Sequence, residues 1–208
     1  SVIEKLLQKV EEKGAFKLTD DEVAQGIVPN PDVVNARNIK KIPYNRIETE
    51  NIKIGDGVFI VDRGMFKGLS ASEMKYVKPI YEPYLIKKYF VNEYDKEIIY
   101  ITKKNYKNDC PTLIKHLLKF KEIMDKRREN LQGKLSFYHL HWARDEYFFE
   151  QGAKILSVRK CTTPTFAYTE NDAYVMMSFN IIKTNRVNPK YLTAYLNSKV
   201  VQFWLKYK

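Results

Sequence analysis

The apolar residues of this chain keep changing period along its length. Val2, Ile3, Leu6, Leu7 and Val10 recur at helical spacing, Val58 to Val61 form a short run bounded by glycines, and "KEIIYIT" (96–102) reads as a strand. Leu113, Leu117, Phe120, Met124 and Leu131 then return to one helical face behind Pro111. Further on, "KLSFYHLHW" (134–142), "AKILSV" (153–158) and "AYVMMSF" (173–179) read as strands. Leu192, Leu196, Val200, Phe203 and Trp204 line a closing helix. Helices and strands that alternate in no fixed order favour an α+β fold over a regular parallel α/β array. The expectation is a mixed or antiparallel sheet with several packed helices, one long central helix and a C-terminal helix. At 208 residues the chain can bury a core as one large domain or two small ones.

Local signals mark the ends of these elements. Ser1 and Glu4 have the spacing of a capping box, and Gly14 suits a left-handed helix end. Residues 26–51, centred on "GIVPNPDVVNARN", are rich in Pro, Asn and Gly and predict a long, partly irregular loop. Ser70 caps a short helix in "SASEMKYV", and "EPYLIKKYF" (82–90) is a second short helical candidate. Gly133 lies just past the long helix, while Asn188 and Pro189 open the last one. The chain stops in that helix without a cap or glycine, as a fragment of a longer polypeptide would. Residues 1–25 form a helix and lead-in, and residues 26–208 form the main domain.

The formal net charge is +11, which favours a polyanionic partner. It is unevenly spread. Residues 1–50 carry 8 Lys/Arg against 9 Asp/Glu, residues 103–135 carry 10 against 4, and residues 152–208 carry 9 against 2. The basic character therefore lies in the second half. Within it, "KILSVRKCTTPTFAY" (154–168) joins a strand-like half to a loop of small hydroxyl residues with nothing acidic. The two cysteines, Cys110 and Cys161, have no paired spacing and fit a reducing compartment. No apolar run approaches the ~20 residues needed to span a bilayer, and no signal peptide is present. The sequence reads as cytoplasmic.

No complete active site is visible. Pro31-Asp32 followed by Glu73-Met74-Lys75 has the residue types of the acid pair and lysine in a Mg²⁺-dependent nuclease, but the gap is long and Glu73 falls in a helical stretch. His139 and His141 share one face of a strand, where they read as hydrogen-bonded residues more than as metal ligands. No G-x-G-x-x-G, no P-loop and no Asn-Pro-Pro-Tyr motif occurs.

Taken in order, the segments resemble the TaqI-like C-terminal specificity domain, the target-recognition domain of adenine-N6 DNA methyltransferases and fused restriction-modification enzymes of type II and IIG. The resemblance rests on "GDGVFIVDRG", "VKPIYEPYLIKKYF", "KEIIYIT", "CPTLIKHLLKFKEIMDKRRE", "HWARDEYFF", "AKILSVRKCTTPTFAY" and "NPKYLTAYLNSKVVQFWL". It covers roughly residues 26–208. The "VPNPDVVNARN" loop departs from the pattern, and the Leu-Asn-Ser helix also recurs in type I specificity subunits. The resemblance implies a non-catalytic reading domain. A methyltransferase domain of the same polypeptide would bind S-adenosylmethionine and flip the adenine, while this domain addresses double-stranded DNA.

Candidate DNA contacts follow from that implication. Arg159, Lys160, Thr162 and Thr163 lie on one loop, and Arg63 and Lys67 lie beside Gly64 and Gly68 on another. Arg144, next to Trp142, is a seventh candidate. Tyr138, Trp142 and Tyr147 are expected in the core. The "KRR" at 126–128 is expected to be a solvated helix end whose charges complement the macrodipole.

Overall fold

The computed structural model describes residues 1–14 and 16–208. In chain order the helices and strands are α1 (Val2–Lys13), β1 (Val23–Gln25), α2 (Tyr44–Thr49), β2 (Ile60–Asp62), α3 (Ala71–Met74), β3 (Val77–Tyr81), β4 (Lys96–Ile99), α4 (Pro111–Leu118), α5 (Lys121–Asp125) and α6 (Arg128–Leu131). There follow β5 (Lys154–Val158), β6 (Phe166–Thr169), β7 (Tyr174–Val175), β8 (Phe179–Ile182), α7 (Pro189–Leu196) and α8 (Lys199–Tyr207). The fold is α+β, as the irregular order of periods implies. Among the described residues, no helix is long and apolar enough to cross a membrane.

Two compact units divide the chain. One comprises Ser1–Gly26, Glu82–Glu93 and Asp145–Lys208; the other comprises Ile27–Tyr81 and Tyr94–Arg144. In the first unit, β1, β8, β5 and β6 pair side by side and antiparallel. Every residue of β5 but Val158 is buried, so this strand is the centre of the unit. Ile155, Ile182 and Leu192 form a core cluster, with Leu18, Phe166, Val187 and Leu196 packed against it. Glu22, buried beside β1, accepts from the Thr19 amide and the hydroxyls of Thr19 and Thr184, and its carboxylate pairs with Arg186. Those donors hold its pKa down at about 2.

In the second unit β2 and β3 flank β4, both antiparallel to it. Val58 to Val61, Ile98 to Ile101, Leu113 and Leu117 are buried. His116 reaches back from α4 to the Val58 carbonyl, 3.0 Å away, and burial lowers its pKa.

Caps that involve near neighbours form as the sequence implies. Ser1 and Glu4 make a capping box, the Ser70 hydroxyl accepts from the Glu73 amide, and the Asn188 side chain accepts from the amides of Lys190 and Tyr191. Gly133 takes a positive φ of 68° after α6. Gly14, by contrast, ends α1 with φ −81° and not in the left-handed region.

Several longer expectations are corrected. The single long helix behind Pro111 is three short ones, α4, α5 and α6. The breaks fall at Phe120, buried against the His116 ring, and at Arg127, whose backbone turns extended. The closing helix is likewise two, because Ser198 is extended and its hydroxyl caps a new start at α8. "KLSFYHLHW" is irregular and not a strand. The His139 amide bonds the Ser136 carbonyl, and the carbonyls of Ser136, Phe137 and His139 accept from the Arg127 side chain. With those carbonyls taken by a side chain, ladder pairing is limited to the end of the segment, where Trp142 bridges Val28 and the Leu140 amide donates to Ile101. "EPYLIKKYF" forms one 3-10 turn at Pro83–Leu85 and then a tight hairpin, not a helix. "AYVMMSF" splits between β7 and the start of β8.

Candidate nucleic-acid interface

The loop between β5 and β6 is held at both feet. At its start, the Arg159 amide donates to the Ser178 carbonyl at 2.8 Å, and the Arg159 guanidinium reaches the Met177 carbonyl at 3.3 Å. At its end, Asn197 brackets the backbone of Phe166. Its Oδ1 accepts from the Phe166 amide at 3.1 Å, and its Nδ2 donates to the Phe166 carbonyl at 2.7 Å and to Thr193 at 2.9 Å. Within the loop the Cys161 thiol donates to the Val158 carbonyl, and the Thr165 hydroxyl to Thr163. Arg159, Lys160, Cys161, Thr162 and Thr163 are all exposed. A buried strand thus presents two cations and two hydroxyls on a loop whose ends cannot drift. The acids of this hairpin, Glu170 and Asp172, follow β6 at the opposite end from the loop.

Lys154 belongs elsewhere, although it lies in the same basic stretch. It is fully buried, donates from Nζ to the Asn171 carbonyl at 2.6 Å, and burial lowers its pKa to about 8. Lys154, Ile155, Leu156 and Ser157 are all buried, so both faces of the strand are covered here and Lys154 takes no part in the exposed cluster.

In the second unit, the turn after β2 carries Arg63 and Lys67, both exposed. Gly64 and Gly68 both have φ +75°, a conformation that a residue with a Cβ adopts at a cost. The Arg63 guanidinium lies 4.3 Å over the Tyr94 ring and donates to the Tyr94 carbonyl. It is a planar fork with a defined orientation. The surroundings are mixed in sign: the Gly64 amide donates to Glu97, and Asp62 pairs with Lys96. Arg144 is exposed, takes φ +67° and stacks 5.5 Å over Trp142. Trp142 and Tyr147 are half exposed and not core, while Tyr138 is partly buried against Tyr106 and His139.

In the "KRR" segment Lys126 and Arg128 are exposed, as expected of a solvated helix end, but Arg127 is not. Arg127 is 5% exposed. Its Nε donates to Met124 and Asn130, its Nη1 to the carbonyls of Asn30 and His139, and its Nη2 to those of Ser136 and Phe137. Burial lowers its pKa to about 10, which leaves it charged at neutral pH. It ties three chain segments together and does not face solvent.

The acids and histidines singled out in the sequence have other partners. Glu73 is buried and accepts from the Thr112 amide at 2.7 Å and from Ser70; burial pushes its pKa up, and these bonds outweigh it to leave the pKa lowered. Lys75 pairs with Asp109. His139 accepts from the Ser136 amide, and burial, with Lys103 and Arg127 nearby, lowers its pKa to about 4. His141 Nε2 lies 2.7 Å from a Glu129 carboxylate oxygen. Among the described residues, no three His, Cys, Asp or Glu side chains are grouped to hold a metal ion.

The family model of the TaqI-like C-terminal specificity domain matches residues 78–208, more than half of the chain. This chain is a TaqI-like specificity domain. The match takes in the β5–β6 loop, the Asn197 bracket and Arg144; Arg63 and Lys67 precede it. Among solved structures, the type IIL restriction-modification enzyme MmeI in complex with DNA is similar, with a TM-score of 0.47 and 11% identity. That similarity covers 89% of this chain and 21% of the enzyme, so the specificity domain spans about a fifth of that protein's length. No curated protein matches the chain.

Two features of this specificity domain escaped sequence reasoning. Asn197 was visible as an amide directly followed by a serine able to cap, and that pair signals a helix break. The exposed aromatic hairpin at 87–90 was hidden by its helix-like spacing.

Proposed function

We propose that this specificity domain recognises a DNA target within a restriction-modification enzyme. A methyltransferase domain of the same polypeptide would use S-adenosylmethionine to modify an adenine flipped from the duplex, in the cytoplasm. The observation that carries the reading is the β5–β6 loop. Its exposed Arg159, Lys160, Thr162 and Thr163 are presented by a buried strand and pinned at both feet.

Such a loop suits base-edge readout, because donors must be held in register with the groove to discriminate. Arg159 is the residue for a guanine edge, and the threonines can address phosphate or a thymine methyl. Arg63, Lys67 and Arg144 serve as further DNA contacts, Arg63 with its guanidinium already oriented by Tyr94.

Salt titration of binding to duplex DNA tests this. Affinity should fall by about 0.9 log units per log unit of salt for each phosphate neutralised. The chain should transfer no methyl group from S-adenosylmethionine. A flat salt response, or equal binding to a neutral polymer, would sink the reading.

A further inference from the structure

We infer that the hairpin tip Lys87–Phe90 is a second DNA-binding element of the first unit, an aromatic wedge flanked by two cations. The inference rests on the DNA-recognition reading. The hairpin is built to present its tip. Leu85 and Ile86 are buried at its base, the Asn92 amide donates to the Leu85 carbonyl at 2.9 Å, and the Lys87 amide donates to Phe90 at 3.0 Å. Beyond that base, Lys87, Lys88, Tyr89 and Phe90 are all exposed, and the two aromatic residues are each 55% exposed. Two adjacent aromatic rings in water are costly for a surface turn, and a turn needs neither.

The backbone adds a second, independent observation. Tyr89 has φ +80°, a conformation that an aromatic residue rarely adopts. It is locked there on the outer edge of β6. The Tyr89 amide donates to the Phe166 carbonyl at 3.0 Å, and its carbonyl accepts from Tyr168 at 3.1 Å. Phe166 is the residue bracketed by Asn197, at the foot of the β5–β6 loop. The strained turn is therefore fastened to the same strand end that carries Arg159 to Thr163. No acidic residue lies between Leu85 and Asn92. A polyanion with apolar faces, which is what a base-paired duplex offers at an opened step, matches both halves of the tip. Apolar side chains inserted between base steps, with cations on the flanking phosphates, are an established way to grip and deform DNA.

The test is binding of the 208-residue chain to a fully paired duplex and to the same duplex with one central mismatch, each across a salt series. A wedge gains from a step already weakened, so the chain should bind the mismatched duplex roughly threefold or more tightly. Phe90→Ala and Tyr89→Asn, the latter suited to positive φ, should erase that preference and leave the salt slope unchanged. Phe90→Leu should keep it. Lys87→Ala with Lys88→Ala should instead flatten the slope by about 0.9 for each phosphate no longer neutralised. If the four hairpin variants bind both duplexes as the unaltered chain does while Arg159→Ala with Lys160→Ala weakens binding, the wedge is overturned and the recognition reading stands. No salt-dependent binding by the unaltered chain overturns both.

Discussion

Arg127 and Arg159 each sit in a basic stretch, and the sequence reads both as exposed. The fold treats them in opposite ways. Arg127 is drawn in to hold the carbonyls of Asn30, Ser136, Phe137 and His139. Arg159 is left in solvent, with its backbone fixed by Ser178. A cluster of Lys and Arg thus has two uses that composition cannot separate. One is structural, where a guanidinium satisfies several acceptors that an apolar residue would orphan. The other is display, where the fold fixes the backbone and leaves the charged group exposed, as at Arg159.

The sharpest way to break this contrast is by stability. Arg127→Ala should destabilise the fold by about 3 kcal/mol or more, because the carbonyls around it lose their donor. Arg159→Ala should stay within about 0.5 kcal/mol, as exposed substitutions do. Urea unfolding of both variants measures the difference, and equal midpoints would erase the distinction. Arg127→Lys should recover little, since a single ammonium cannot reproduce the fork.

Acid should act on the Arg127 side first. His139 is buried neutral, with its pKa lowered from 6.5 to about 4, and its carbonyl accepts from Arg127. A histidine whose folded pKa is depressed contributes stability that is full above its unfolded value and is lost as pH falls from 6.5 towards 4. The loss reaches about 3 kcal/mol at most. His116 shifts in the same direction. The measurement is unfolding free energy between pH 7.5 and 4.5, with His139→Asn as the comparison. A variant that loses stability over this window as steeply as the unaltered chain would remove His139 from the account.

Discrimination should move in the reverse order. On the proposed reading, in a full-length protein that carries the methyltransferase domain, Arg159→Ala should relax preference at one base pair by about 1–3 kcal/mol if the arginine is bidentate to guanine. A folded Arg127 variant should leave every ratio between sites unchanged. Comparing methylation of the true site with that of single-base variants, at one salt concentration, decides it. A smaller effect tests the bracket: Asn197→Ala removes three bonds that hold Phe166 and Thr193, and should cost about 1–2 kcal/mol of stability. It should also loosen the loop's site preference without changing its charge. The smallest expected effect is for Lys67→Ala, a drop of about 0.9 in the salt slope with no change in sequence preference.

Much of the fold was legible because its signals are short. The β5 strand, the Ser70 cap and the Asn188-Pro189 start each depend on residues within a few positions of one another. The exposed loop at 159–165 was legible too, since hydroxyl and basic residues between a buried strand and an aromatic run have few places to go. What misled was spacing read without its partners. Phe120, Arg127 and Ser198 each lie in a helical pattern, yet each interrupts its helix. Lys154 counts toward the basic stretch along the chain, yet β5 is covered on both faces there and it is buried.

The division has one physical cause. The sequence alone determined the interactions in which both partners are near neighbours: the caps, the strand alternation, the net charge and its concentration in the second half. The tertiary structure decided the fate of each individual cation, because that depends on groups brought from far along the chain. Arg127 is buried by a carbonyl 97 residues away, at Asn30. Lys154 is enclosed by one 17 residues on, at Asn171. Arg159 and Lys160 stay exposed because the fold satisfies the backbone around them, with the Arg159 guanidinium reaching only as far as the nearby Met177 carbonyl.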